Sequence, residues 1–134
     1  MNNKPKFILY VDDDADDREF LCEAIKDADP EVSVVCAENG VKALEYLREL
    51  KNTDTGMPCL IVLDINMPFL DGRETFTEIK KDPALDSVPV LIFSSSEKPN
   101  DKILFNDLGV EFITKPCNLL YMNSIACRMV HICC

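Results

Sequence analysis

Residues 59–64 read Cys-Leu-Ile-Val-Leu-Asp, an unbroken apolar run of strand length that stops on a carboxylate. A strand with one wet face alternates apolar and polar residues, whereas a continuous run suits a parallel strand covered by helices on both sides. The figure recurs on either side of it. Phe7–Val11 runs into Asp12-Asp13-Asp14, and Val88–Phe93 runs into Ser94. Two further runs, Val32–Cys36 and Val110–Ile113, carry Ser33 and Glu111 and so suit the edges of a sheet. The five runs begin 25, 27, 29 and 22 residues apart, room each time for a strand, a helix and two short loops.

The intervening segments carry helical spacing. Leu21, Ala24, Ile25 and Ala28 fall at i, i+3, i+4 and i+7, with Asp14 placed to cap that helix. Ala43, Leu47 and Leu50 mark a second helix, Phe76 and Ile79 a third, and Ile103, Leu104 and Leu108 a fourth. After Lys115-Pro116, the stretch Leu119–Ile132 is predicted as a last helix, apolar on more than one face. The alternation predicts an α/β protein with a flavodoxin-like (βα)5 doubly wound parallel sheet, strand order 2-1-3-4-5.

The 134 residues are expected to form one domain, 1–134, with no output domain. Fourteen basic against 24 acidic residues give a net charge of −10, which repels a phosphate backbone or an anionic bilayer and predicts neither nucleic acid nor membrane as a partner. No leader-like or membrane-length apolar stretch is present, so the expected compartment is the cytoplasm. Seven cysteines show no paired C-x-x-C spacing, and most are expected to be reduced. Cys127 and His131 share a helical spacing but fall short of a full metal-ligand set. No Gly-rich phosphate loop follows any strand.

In open parallel sheets, sites form beyond the carboxyl ends of the strands. The residues there are Asp12 and Asp13 after the first run, Asp64 after the third, Ser94 after the fourth and Lys115 just past the fifth. Carboxylates this close repel one another unless a cation is supplied, and an all-oxygen donor set selects a hard ion such as Mg²⁺. A carboxylate nucleophile, a metal, a lysine and a hydroxyl together suit phosphoryl transfer.

The motifs Val-Asp-Asp-Asp at 11–14, Leu-Asp-Ile-Asn-Met-Pro-Phe-Leu-Asp-Gly at 63–72, Val-Pro-Val-Leu-Ile-Phe-Ser at 88–94 and Ile-Thr-Lys-Pro at 113–116 resemble the receiver domain of two-component response regulators. Asp13, Asp64 and Lys115 stand 51 residues apart in succession, and Asp-Gly-Arg-Glu at 71–74 is similar to receivers serving phytochrome-like histidine kinases. The resemblance implies that Asp64 accepts a phosphoryl group from a sensor histidine kinase, or exchanges it with a histidine phosphotransfer protein. Asp12, Asp13, Asp64 and the Asn66 backbone carbonyl would hold Mg²⁺, Asp12 mostly through water.

Ser94 and Lys115 would contact the phosphoryl oxygens, and Phe112 would rotate as Ser94 moves inward. Phe112 stands where the family commonly has Tyr and lacks the hydroxyl. Asn66 and Ser96 would tune hydrolysis of the acyl phosphate, and Lys115-Pro116 would carry the cis bond common in the family. The resemblance further implies a signalling module that catalyses at most its own phosphorylation and dephosphorylation, with a possible homodimer through the fourth helix, fifth strand and fifth helix. The competing reading is a haloacid-dehalogenase-type phosphatase with Asp12 as nucleophile. That chemistry requires a further acidic metal ligand beyond the lysine, and nothing acidic follows Lys115.

Overall fold

The apolar runs become five parallel strands of one sheet, and the segments between them become the helices that cover it. The computed structural model describes residues 5–134. In chain order these hold β1 (Phe7–Val11), α1 (Ala15–Ala28), β2 (Ser33–Ala37), α2 (Gly40–Leu50), β3 (Leu60–Leu63), α3 (Gly72–Lys81), β4 (Val90–Ser94), α4 (Pro99–Asp107), β5 (Glu111–Thr114) and α5 (Met122–Cys133). The strand order is β2-β1-β3-β4-β5, as the polarity of the runs predicts. Every residue of β1 and β3 is buried, while β2 and β5 are largely exposed or half-buried edges.

Alternate side chains of the central strands feed two cores. Leu9, Val11, Ile61, Leu63 and Ile92 pack under α2, α3 and α4, where Phe76 of α3 meets Phe105 of α4 edge-to-face at 5.6 Å. Ile8, Tyr10, Val62, Leu91 and Phe93 pack on the opposite face under Leu21 and Ile25 of α1 and Met122, Ala126 and Met129 of α5. The period of two along each strand thus explains why the runs are continuous: both faces are covered.

The apolar positions expected to mark the fourth helix, Ile103, Leu104 and Leu108, are exposed, and α4 buries Phe105 and Asp101 instead. The structure departs from the sequence expectations in three further features of the backbone and the cysteines. First, the stretch predicted as one helix over 119–132 divides. Asn118 accepts the Leu120 N–H at 3.0 Å and fixes a 3₁₀ turn at Leu119–Tyr121, after which α5 begins. Second, Cys59, just before β3, and Cys133, at the end of α5, form a disulfide across 74 residues with Cα atoms 5.0 Å apart. The other five cysteines are free thiols. The pairing is invisible in the spacing because only the fold brings α5 back over the start of β3. Third, there are no cis peptide bonds among the described residues, so Lys115–Pro116 is trans, the isomer favoured by about 0.5–1 kcal/mol even before proline.

Candidate functional site

Each predicted site residue sits where the sheet ladder ends. The Asp12 N–H donates to the Ala37 carbonyl at 3.1 Å, the Asp64 N–H to Val11 at 3.0 Å and the Lys115 N–H to Ser94 at 2.9 Å. The last rungs of the sheet therefore fix the backbones of three charged residues along one edge. Asp12, Asp64 and Ser94 are buried, while Asp13 is exposed. Carboxylate oxygens of Asp12, Asp13 and Asp64 all lie within 4.8 Å of one another.

Lys115 ties the cluster together. Its Nζ stands 2.7 Å from Asp12 Oδ2, 2.7 Å from Asp17 Oδ2 and 3.0 Å from Asp64 Oδ2. Burial pulls the ammonium toward losing its proton, but the hydrogen bonds to Asp12 and Asp17 and the charges of Asp64 and Asp12 outweigh it, so its pKa is raised above the ordinary lysine value. Four carboxylates against one ammonium still leave the pocket negative, which an oxygen-seeking divalent cation would correct. Asp12 is already oriented by protein donors and keeps an acceptor site on Oδ1, so it would reach a cation mostly through water. Its Oδ2 also accepts from the Tyr10 hydroxyl at 2.5 Å, and its Oδ1 accepts the Asp14 N–H at 2.9 Å. Asp64 Oδ1 accepts the Ile65 N–H at 2.7 Å.

The helix start beside the site is built as the sequence predicts. Asp14 caps α1, accepting from the N–H groups of Asp16 and Asp17 at 2.9 and 3.1 Å, and this turns Asp17 toward Lys115. On the other side, Ser94 Oγ accepts the Ser96 N–H at 3.2 Å, which leaves the Ser94 hydroxyl proton free to donate. Ser96 Oγ donates to Asp101 at 2.6 Å, and Arg73 of α3 bonds the other oxygen of that buried carboxylate. The loop that follows Ser94 is therefore fastened to both α3 and α4.

Asp12, Asp13, Asp64 and Lys115 are brought into one cluster, and Ser94 borders it through Lys115. Asn66 lies exposed two residues beyond Asp64. Phe112 is outside the cluster, half-buried against the α2–α4 core, with Lys102 Nζ 5.8 Å from its ring centre. Sequence reasoning assigned no site contact to Tyr10, Asp17, Arg73 or Asp101. Tyr10 had a signal, since it lies two residues before Asp12 and hence on the same strand face. The Asp17–Lys115 pair spans 98 residues and has no local signature.

In the sequence, Asp71-Gly72 reads as a turn in which glycine supplies a backbone conformation other residues resist, but Gly72 takes a different role. Among the described residues those with positive φ are Phe69, Gly56 and Gly109. At Gly72 the backbone passes so close to β3 that an added Cβ would lie 2.7 Å from Ile65 Cα and collide with the Asp64 carbonyl oxygen.

Residues 8–125 match the family described as the response regulator receiver domain. The response regulator Rcp1 of Synechocystis sp. is 33% identical over 120 residues, covering 88% of this chain and 82% of that protein. The crystal structure of the phosphorylated cyanobacterial phytochrome response regulator RcpA superposes with a TM-score of 0.82 at 36% identity, over 92% of this chain and 90% of that one. The Mn²⁺-bound form of Rcp1 gives a TM-score of 0.81 at 32% identity, over 93% and 91% of the two chains. A protein-glutamate methylesterase/protein-glutamine glutaminase of Syntrophomonas wolfei is 38% identical over 92% of this chain, which spans only 33% of that longer protein.

Proposed function

Because the chain belongs to the response regulator receiver domain family of two-component signalling, we propose that Asp64 is its phosphoryl acceptor and that Asp12, Asp13, Asp64 and the Asn66 carbonyl hold Mg²⁺. Receiver domains take their phosphoryl group from histidine kinases, and the donor here is a phosphohistidine of a sensor kinase or a histidine phosphotransfer protein. An Asp64 carboxylate oxygen bonds to phosphorus as the P–N bond breaks, and the departing imidazole nitrogen keeps that electron pair and takes up a proton. Lys115, already 3.0 Å from Asp64, pairs with a transferring oxygen, and the free proton of Ser94 donates to another. A bound divalent cation supplies neutralisation of the charge on those oxygens.

The observation that carries this reading is Lys115 Nζ bridging Asp12, Asp17 and Asp64 at the carboxyl edge of the sheet. The donor set fits a hard cation, and the Mn²⁺-bound Rcp1 shows that a relative holds a divalent metal. The phosphatase alternative gains nothing from the family match or from the solved relatives. We read residues 1–134 as one receiver domain that is not itself an enzyme beyond its own phosphorylation and dephosphorylation. No helix of the described residues is long and apolar enough to cross a membrane. Our reading of the compartment is the cytoplasm, and the net charge of −10 supports a reading without nucleic acid or membrane as partner. Exposed Ile103, Leu104 and Leu108 on and just after α4 support an α4–β5–α5 face as the surface for a second copy, with rotation of Phe112 as the switch.

Incubation with Mg²⁺ and acetyl phosphate is expected to add one phosphate by intact mass. The addition should disappear in Asp64→Asn and on chelation of the metal. Labelling that survived Asp64→Asn and vanished in Asp12→Asn would overturn the assignment.

A further inference from the structure

Cys22 of α1 and Cys36 of β2 bring their sulfurs to 3.4 Å, in hydrogen-bond contact. Neither belongs to the phosphoryl site or to the Cys59–Cys133 disulfide. The contact follows from the fold. Cys36 pairs with Tyr10 in the parallel register, so its side chain lies on the face covered by α1, yet β2 is an edge strand and leaves it open to solvent. Cys22 is half-exposed on the facing helix, and Arg18 stands one turn before it.

We propose that Cys22 and Cys36 are a hydroperoxide-reactive dithiol, a second modification site on this chain that closes to a disulfide. It is independent of the phosphoryl reading of Asp64. The sulfurs must approach from 3.4 Å to the roughly 2.05 Å of an S–S bond.

The pair is also chemically unequal. The sulfur contact with Cys22 and the positive charge of Arg18, working against partial burial, bring the Cys36 thiol down to about 7. The same contact, with burial, pushes Cys22 well above the ordinary thiol range. Cys36, exposed where Cys22 is only half-exposed, is the thiol a hydroperoxide reaches first, and so it is the nucleophile and Cys22 the resolving thiol.

The Cys36 thiolate attacks one oxygen of the hydroperoxide. The O–O bond breaks, the leaving alkoxide or hydroxide takes up a proton, and Cys36 becomes a sulfenic acid, oxidised by two electrons. Cys22 sulfur then attacks that sulfur, the S–O bond breaks, and the hydroxide leaves with the Cys22 proton as water. The product staples α1 to β2 one residue before Ala37, whose carbonyl holds the Asp12 N–H at 3.1 Å. A dithiol reductant reverses it.

The full chain, exposed to about equimolar hydrogen peroxide at pH 7, capped with iodoacetamide and cut with trypsin, gives the test. Peptides 19–26 and 27–42 should appear joined, lighter than their sum by two hydrogens, and should separate with dithiothreitol. Cys22→Ser should leave Cys36 as a sulfenic acid trapped by dimedone. Cys36→Ser should slow oxidation of Cys22 by about tenfold or more, because the thiolate is the reacting form. The proposal is overturned if the two peptides stay unlinked while oxygen accumulates on either, or if Cys36 is found joined to Cys117, Cys127 or Cys134. Mapping the parent protein decides this even where a variant folds poorly.

Discussion

Tyr10 places a buried hydroxyl against the most enclosed carboxylate of the site, 2.5 Å from Asp12 Oδ2. Its ring packs on Phe93 with centroids 6.2 Å apart, so the hydroxyl cannot swing away, and Asp12 is oriented from inside the core as well as by Lys115. Burial first, and then the charge and hydrogen bond of Asp12, raise the Tyr10 pKa above the ordinary value. The consequence for stability has a definite sign. Below about pH 10 both folded and unfolded chains keep the phenolic proton; above it the unfolded chain releases it and the folded one does not, so stability falls by up to ~1.4 kcal/mol per pH unit. Lys115, also raised, adds a parallel slope starting near its own unfolded value. Tyr10→Phe should remove about one proton from the alkaline slope of urea-unfolding free energy, and should cost about 0.5–1.5 kcal/mol at neutral pH for the lost hydrogen bond. An alkaline slope equal to that of the parent would show that Tyr10 does not hold its proton through Asp12.

The entry of α3 sets how close that helix comes to Asp64. Asp71 caps it, accepting the Glu74 N–H at 2.9 Å, while Glu74 accepts the Asp71 N–H at 3.3 Å, a reciprocal box that fixes the first turn. Gly72 then lets that turn lie against the backbone of Asp64 and Ile65. Gly72→Ala should force the turn outward at about 1–3 kcal/mol, the range for overpacking, and should slow phosphate incorporation at Asp64. Unchanged melting temperature and labelling would refute that account.

At the same scale the sequence was informative wherever a local pattern carries the physics. Continuous apolar runs revealed the strands, Ser33 and Glu111 marked the edges, and Asp14 marked a cap, because burial on both faces and capping are local demands. The residues at the strand ends followed from topology alone. Tyr10, Asp17, Asp101 and the Cys59–Cys133 bond were not legible, because their partners are chosen by side-chain direction and by contacts between elements distant in the chain. Gly72 was noticed for the wrong reason, since close approach and positive φ favour the same residue.

On the whole molecule, the two ends of the sheet have different duties. The carboxyl ends gather the acidic cluster around Lys115, and the amino ends carry the Cys59–Cys133 disulfide, where the Cys59 N–H also donates to Phe7 at 2.9 Å. The length of the strands separates the two, so what fastens α5 at one end has no contact with the chemistry at the other. The bond closes a loop of 74 residues, and restricting so long a loop in the unfolded chain is worth about 4 kcal/mol. Cys133→Ser, or reduction of the parent protein, should therefore lower unfolding free energy by about that amount, with the last turn of α5 gaining amide exchange first. Phosphate incorporation at Asp64, measured well below the melting temperature, should be unchanged, because Asp12, Asp64 and Lys115 are anchored by ladder rungs at the opposite edge. Loss of labelling in a Cys133→Ser protein that still melts cooperatively would mean that the two ends of the sheet are coupled through α5, whose Met122, Ala126 and Met129 share a core with Tyr10 and Phe93.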